Sequence, residues 1–89
     1  MSGNEFIEQA KELVYQYTLE HLDKSDEFFF SKNDDVYVVW SCKILKDNKA
    51  LLSTSLFDGM HYEVTYNGDR QEFYLDAYKK FENRCIKAG

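Results

Sequence analysis

The sequence contains no proline and only four glycines among its 89 residues. Flexible linkers and low-complexity tracts rich in these residues are therefore excluded, and no internal repeat divides the chain. We expect a single domain that spans residues 1–89. A domain of this length buries about two-thirds of the surface that its unfolded chain exposes, which is enough for one small core.

Long apolar runs and an excess of basic residues are also missing. No apolar run approaches the roughly 18 residues of a membrane span and no signal peptide is recognisable, so we expect a cytoplasmic protein without membrane contact. Eleven Lys and Arg against sixteen Asp and Glu give a net charge of 11 − 16 = −5. This acidity argues against a general binder of phosphate backbones. The two cysteines, Cys42 and Cys85, are predicted to be buried, reduced thiols.

Residues 36–67 are rich in β-branched and aromatic side chains and are interrupted by turn residues. This pattern predicts three antiparallel strands in a meander. Asn67-Gly68 is a strong hairpin signal, so residues 69–74 are predicted to return as a short fourth edge strand. The alternative is that a helix begins at Asp69.

Two helices are predicted to flank the sheet in sequence. Ser2 and Glu5 have the spacing of a capping box, with Asn4 as the competing cap, and apolar residues then recur at helical spacing over residues 4–22. Similar spacing predicts a second helix over residues 75–87. The expected fold is therefore α+β: a helix, an antiparallel meander of three or four strands, and a C-terminal helix.

Alternation within the strands predicts which side chains are buried. In the first strand the more apolar set is Val36, Val38, Trp40, Cys42 and Ile44. In the last strand it is Met60, Tyr62, Val64 and Tyr66, whereas the register of the middle strand is ambiguous. The predicted core consists of Trp40, Val38, Val64, Tyr62, Leu13, Val14, Tyr17 and Phe81.

No residue pattern indicates catalysis, a metal or a nucleotide. Cys42 and His61 could form a minimal thiol–imidazole pair, but the alternation predicts them on opposite faces of the sheet. A zinc site from the two cysteines and a histidine lacks a closely spaced ligand pair, and Gly68 marks a turn instead of a phosphate loop. We therefore predict no enzymatic activity, no cofactor and no metal.

Apolar residues outside the predicted core indicate an interaction surface for a protein partner or for self-association. They lie on the back of the first helix, in a run of three phenylalanines and on the open side of the sheet. The alternative is ordinary scatter on the surface, with at least one of the three phenylalanines inserted into the core. The candidate residues are Tyr15, Leu19, Leu22, Phe28, Phe29, Val39, Leu51 and Phe57.

A second functional interpretation is a nucleic-acid-associated protein. The predicted order of helix, three strands and helix is that of double-stranded RNA-binding domains. Those domains place basic residues at the start of their last helix, whereas here that region begins Leu75-Asp76-Ala77. A continuous basic stripe would favour this alternative, and its candidate members are Lys43, Lys46, Lys49, Lys79 and Lys80.

Five segments carry a resemblance to a known family. They are residues 35–43 (DVYVVWSCK), 49–54 (KALLST), 58–60 (DGM), 62–69 (YEVTYNGD) and 74–83 (YLDAYKKFEN). Together they resemble a family of small, uncharacterised phage and prophage proteins of Gram-positive bacteria, and the likeness covers nearly the whole chain. The family is a domain of unknown function, so the resemblance implies no site residues. It implies an intracellular bacterial setting and an accessory role exerted by binding host or phage proteins.

Overall fold

The computed structural model describes residues 1–22 and 29–89. In chain order its elements are α1 (Gly3–His21), the short α2 (Lys32–Asp35), β1 (Val36–Ile44), β2 (Asp47–Thr54), β3 (Met60–Asn67) and β4 (Glu72–Lys79). The four strands form one antiparallel sheet in the order β1-β2-β3-β4, so that neighbours in sequence are also neighbours in space. The predicted α+β class and antiparallel meander are confirmed, with four strands.

The cap of α1 is local and was predictable. The hydroxyl of Ser2 accepts a hydrogen bond from the backbone amide of Glu5 at 3.1 Å. Ser2 is therefore the N-cap, and the competing cap at Asn4 is wrong, because Asn4 lies inside the helix. The helix ends at His21, and the backbone of Leu22 is extended.

One face of the sheet packs against α1. Phe6, Ala10, Val14 and Thr18 follow one another at intervals of four residues and form the buried stripe of the helix. The sheet contributes Val36, Ala50, Leu52, Tyr62, Val64 and Tyr66 to the same core. Of the predicted core residues, Val14, Tyr62 and Val64 are buried, whereas Leu13, Tyr17 and Val38 are partly buried at its margin.

The run of three phenylalanines divides between core and solvent. Phe30 is buried and stacks on Tyr15 with 5.8 Å between ring centroids, which confirms that one of the three rings enters the core. Phe29 is 85% exposed. Phe28 and residues 23–27 lie outside the described residues.

A β-bulge reverses the second half of β1. Val38 pairs with Leu52 and Trp40 pairs with Leu51, so that Val39 is an extra residue in β1. Side chains alternate along a strand, and one inserted residue therefore turns every later side chain to the other face. The prediction that Trp40 belongs to the core is wrong for this reason: its side chain lies on the face away from α1 and is 44% exposed.

The predicted burial of the two cysteines is also wrong. Cys42 follows the bulge and faces away from α1, and Cys85 lies beyond β4. Both are unpaired thiols at the surface. The inserted residue accounts for Cys42, since without it Cys42 would share the inward face of Val38.

The predicted C-terminal helix over residues 75–87 is wrong. The side chain of Asn67 accepts hydrogen bonds from the amides of Asp69 and Arg70, and the chain then returns as β4. β4 pairs with β3 over eight residues, from Glu72 to Lys79, so the predicted fourth strand exists and is longer than residues 69–74. A spacing of four residues puts two side chains on one face of a helix and equally on one face of a strand. The spacing of the aromatic residues therefore does not distinguish a helix from a strand in this segment.

Phe81, which the helix would have carried into the core, is 97% exposed. It lies two residues beyond the end of β4, in a segment without helix or strand. Because the strand ends at Lys79, Phe81 has no element that would hold it against the sheet.

Candidate interaction surface on the open face of the sheet

The face of the sheet opposite α1, called the open face below, is formed by the outward side chains of all four strands. Cross-strand partners in an antiparallel sheet share a face, so the pairing defines this surface in rows. The rows are Tyr37–Ser53–His61–Tyr78, Trp40–Leu51–Glu63–Asp76 and Cys42–Lys49–Thr65–Tyr74. The described helices pack on the other face, which leaves these rows accessible.

Aromatic and aliphatic side chains occupy much of the open face. Tyr37 and Trp40 on β1 are 50% and 44% exposed, and Tyr78 on β4 is 52% exposed. Leu51 lies between Trp40 and Glu63 and is half-buried by its neighbours. The apolar groups of the open face therefore lie on β1, β2 and β4, whereas β3 contributes the polar side chains of His61, Glu63 and Thr65.

The charged groups of the open face are mainly acidic. Within the four strands the outward charged residues are Asp47, Glu63, Glu72 and Asp76 against Lys49, which gives the strands a formal charge of 1 − 4 = −3 on this face. The Glu63 carboxylate contacts Lys49 Nζ at 3.1 Å, and this hydrogen bond is the main reason that the pKa of Lys49 is raised. A cationic group would be attracted to this face.

The carboxylates of the open face differ in whether they accept hydrogen bonds from other groups of the chain. Asp47 accepts a hydrogen bond from the amide of Gly68 at 2.9 Å, and Glu72 accepts one from the Tyr74 hydroxyl. The bond to Glu72 is the largest cause of the raised pKa of Tyr74. Asp76 has no hydrogen bond or ion pair within the described residues, although it lies directly opposite the like charge of Glu63.

A depression of about 470 Å³ lies at the end of the open face where β4 finishes. The rings of Tyr37, His61 and Phe57 border it, together with Lys80. Phe57 belongs to the link between β2 and β3 and is fully exposed. The depression is open to solvent and combines these rings with the small polar residues Ser53, Thr54 and Ser55.

The predicted interaction residues do not form one surface. Val39 at the bulge and Leu51 lie at the open face, and Phe57 borders its depression. The helix residues lie on the core side of the molecule: Tyr15, Leu19 and Leu22 are partly buried against the core. Phe29 is exposed near that second group, beside Phe30 and Leu22.

Four aromatic residues of the open face were not among the candidates: Tyr37, Trp40, Tyr74 and Tyr78. The alternation in β1 was a sufficient signal for Tyr37. To predict that Trp40 lies on the open face, one would have to know of the bulge. To predict that Tyr74 and Tyr78 lie there, one would have to recognise β4 as a strand.

The thiol–imidazole pair considered from the sequence, Cys42 and His61, is not brought together among the described residues. Cys42 and His61 lie on the same face, contrary to the prediction, because the bulge turns Cys42 outward. They lie in different rows, and the four residue steps from His61 to Thr65 correspond to about 13 Å along β3. Among residues 1–22 and 29–89 no three His, Cys, Asp or Glu side chains are placed to hold a metal ion. Neither described helix has the length and apolar character needed to cross a membrane.

Comparison with known proteins identifies a family. Searches of curated proteins and of solved structures gave no match. A family model described as "Family of unknown function (DUF6275)" matches residues 7–88, which is nearly the whole chain. The chain belongs to this family of unknown function, DUF6275.

Proposed function

We propose that the protein is a non-enzymatic binding protein that recognises a polypeptide on its open face. The observation that carries the proposal is the group of exposed and half-buried aromatic and aliphatic side chains that β1, β2 and β4 present on one face of the sheet. Strands about 4.8 Å apart and eight residues long give this face dimensions of roughly 14 by 26 Å. Apolar patches of a few hundred Å² on small proteins tend to be contact sites.

The chemistry of the face defines the partner that fits it. Apolar contact favours aliphatic or aromatic side chains, and the formal charge of −3 favours Lys or Arg beside them. Exposed Trp40 and Tyr78 offer ring faces to which a cationic group is also attracted. The partner is therefore a polypeptide segment that combines apolar and basic residues.

The setting of this activity is proposed from the sequence. The resemblance to small phage and prophage proteins of Gram-positive bacteria supports an accessory protein that acts inside a bacterial host cell. Small proteins of that kind often act by binding host or phage proteins. A binding surface without catalytic groups suits such a role.

The exposed aromatic rings also favour a second candidate, single-stranded nucleic acid, whose bases stack on such rings. Three of the five lysines of the candidate basic stripe are engaged by groups of the chain itself. Lys43 donates to the carbonyl of Met1, Lys46 pairs with Asp69, and Lys49 pairs with Glu63. The helix–strand–helix order that suggested RNA binding is absent from the described residues, since β4 replaces the second helix. We therefore favour a polypeptide partner.

The fluorescence of Trp40, the single tryptophan, tests the proposal directly. A peptide of alternating Lys and Phe should shift its emission and bind saturably, whereas an acidic peptide of the same apolar content should not. Leu51→Lys should abolish the shift, because it places a charge in the middle of the apolar rows.

Leu45→Lys is the matched control. Leu45 is 91% exposed in the link between β1 and β2, so this variant should bind as the original protein does. An emission shift with a single-stranded oligonucleotide alone would favour the second candidate. No response to either ligand would contradict the proposal.

A further inference from the structure

We infer that the occupant of the open face is the segment of residues 80–89 from a second copy of this chain. This inference rests on the proposed function and narrows its partner to one sequence. The segment, called the basic segment below, follows β4 without helix or strand structure. It carries both properties that the open face requires.

The first property of the basic segment is that it exposes apolar side chains. Phe81 and Ile86 are 97% and 84% exposed, so two large side chains of the basic segment remain in water. Removing such exposed apolar side chains from water favours association. The open face offers half-exposed rings against which they can pack, in a protein whose own core does not include them.

The second property of the basic segment is a charge opposite to that of the open face. Lys80, Arg84 and Lys87 against Glu82 give the side chains of the basic segment a formal charge of 3 − 1 = +2. The open face has a formal charge of −3, and its Asp76 carboxylate has no partner within the described residues. Two copies that each carry −5 repel overall, and contact between oppositely charged regions offsets that repulsion.

The direction of the chain favours a second copy over the segment's own sheet. The amide of Lys80 donates to the carbonyl of Gly59 at 2.7 Å, which prolongs the line of β4 beyond its last residue. Lys80 itself borders the depression, but to lie along its own open face the segment would have to reverse immediately afterwards. Residues 80–88 contain no glycine or proline, and Asn83, their one residue of a type that favours turns, comes three residues after Lys80.

Length and symmetry are also suitable. Ten extended residues span about 33 Å, which exceeds the roughly 26 Å length of a strand in the open face. If each copy places its basic segment on the other, the contact is reciprocal and closes as a two-fold dimer. We assign Phe81 as the anchor, since it is the one aromatic residue of the segment and the depression beside Tyr37 and Phe57 is bordered by aromatic rings.

The test uses light scattering of the full chain over a series of concentrations. The original chain should dimerise, and Phe81→Asp with Ile86→Asp should raise the dimer dissociation constant by at least about tenfold, as expected for loss of an aromatic anchor. Phe29→Asp is the matched control, because Phe29 is equally exposed but distant in sequence and lies beside the core-side group of residues. It should leave the dimer unchanged.

A synthetic peptide of residues 79–89 completes the test. It should bind to the Phe81→Asp, Ile86→Asp variant, shift the emission of Trp40 and fail to bind when Leu51→Lys is added. Binding of Lys–Phe peptides without binding of this peptide would overturn the inference and leave the proposed function standing. Failure of both peptides would overturn both.

Two further outcomes contradict the second copy as occupant. A dimer that persists in the Phe81→Asp, Ile86→Asp variant means that another surface joins the copies. An original chain that stays monomeric, together with a peptide that binds only to this variant, means that the segment covers its own sheet.

Discussion

The Asp35 carboxylate accepts a hydrogen bond from the Ser55 hydroxyl at 2.7 Å, across 20 residues of sequence. The same carboxylate accepts from the amide of Ser31 at 2.6 Å, and the Asp35 carbonyl accepts from the Ser55 amide at 2.9 Å. Asp35 immediately precedes β1 and Ser55 immediately follows β2, so this group fastens α2 to the open end of the β1–β2 hairpin. The Ser31 amide and then the Ser55 hydroxyl lower the pKa of Asp35.

Asp35→Asn should therefore destabilise the protein. The substitution weakens two hydrogen bonds to a charged acceptor, and we expect the free energy of unfolding at neutral pH to fall by about 1–2 kcal/mol. Denaturant titration followed by circular dichroism measures it. Asp34→Asn is the control, since Asp34 is exposed in the same short helix and should change stability by less than about 0.5 kcal/mol. Equal effects of the two variants would contradict the role given to Asp35.

The pH dependence of that difference follows from the sign of the pKa shift. Because the pKa of Asp35 is lower in the folded than in the unfolded protein, the stabilisation is complete above the unfolded value of about 4. It is lost as the pH falls through the lower folded value. The difference in unfolding free energy between the original chain and Asp35→Asn should therefore be constant from pH 7 to about 5 and diminish below pH 4. A difference that grows on acidification would contradict the hydrogen-bonded carboxylate.

Adjacent leucines on β2 test which face is the core. Leu52 is fully buried beneath α1, and Leu51 faces the open side. Leu52→Ala should lower the free energy of unfolding by about 2–5 kcal/mol, because it leaves a cavity in the core. Leu51→Ala should cost less than about 1 kcal/mol while weakening self-association. The reverse order of the two effects, measured by thermal unfolding at low protein concentration, would show that the register of β2 is wrong.

Asn48 is a buried polar residue whose replacement should stabilise the fold. It is 2% exposed on the inward face of β2, and its side-chain Nδ2 has no hydrogen-bond partner among residues 1–22 and 29–89. Leucine has the same branching at Cγ as asparagine and no polar atom, so Asn48→Leu removes the desolvation penalty of that donor and should raise the free energy of unfolding by about 1 kcal/mol. Asn33→Leu, at an exposed position, should have little effect. A loss of stability in Asn48→Leu would mean that the amide is satisfied by a bound water molecule.

Two glycines should respond to alanine in opposite directions. A Cβ on Gly68 would lie 2.2 Å from the carbonyl oxygen of Lys46, whereas a Cβ on Gly3 would meet nothing within 4 Å. Gly68→Ala should therefore destabilise by about 1–3 kcal/mol, because the two hairpin links have to move apart. Gly3→Ala should stabilise by about 0.5 kcal/mol through helix propensity. If thermal unfolding shows that Gly68→Ala leaves the stability unchanged, the close approach of the two links is contradicted.

The sequence by itself determined those features of the fold that depend on interactions between residues close together in the chain. Ser2 caps α1 because its hydroxyl lies within reach of an amide three residues away. The Asn67-Gly68 turn is local for the same reason, with the Asn67 side chain accepting from Asp69 and Arg70. The alternation of β3 was equally readable, and Tyr62, Val64 and Tyr66 are buried as predicted.

Only the tertiary structure decided the open face. The bulge at Val39 depends on how β1 pairs with β2, and no feature within β1 shows that one residue is extra. Residues 72–79 have a spacing that suits a helix and a strand alike, and pairing with β3 selected the strand. These two long-range events brought Trp40, Tyr74 and Tyr78 to one surface and left Phe81 in solvent, because contacts between strands outweigh the weak local preferences of each segment.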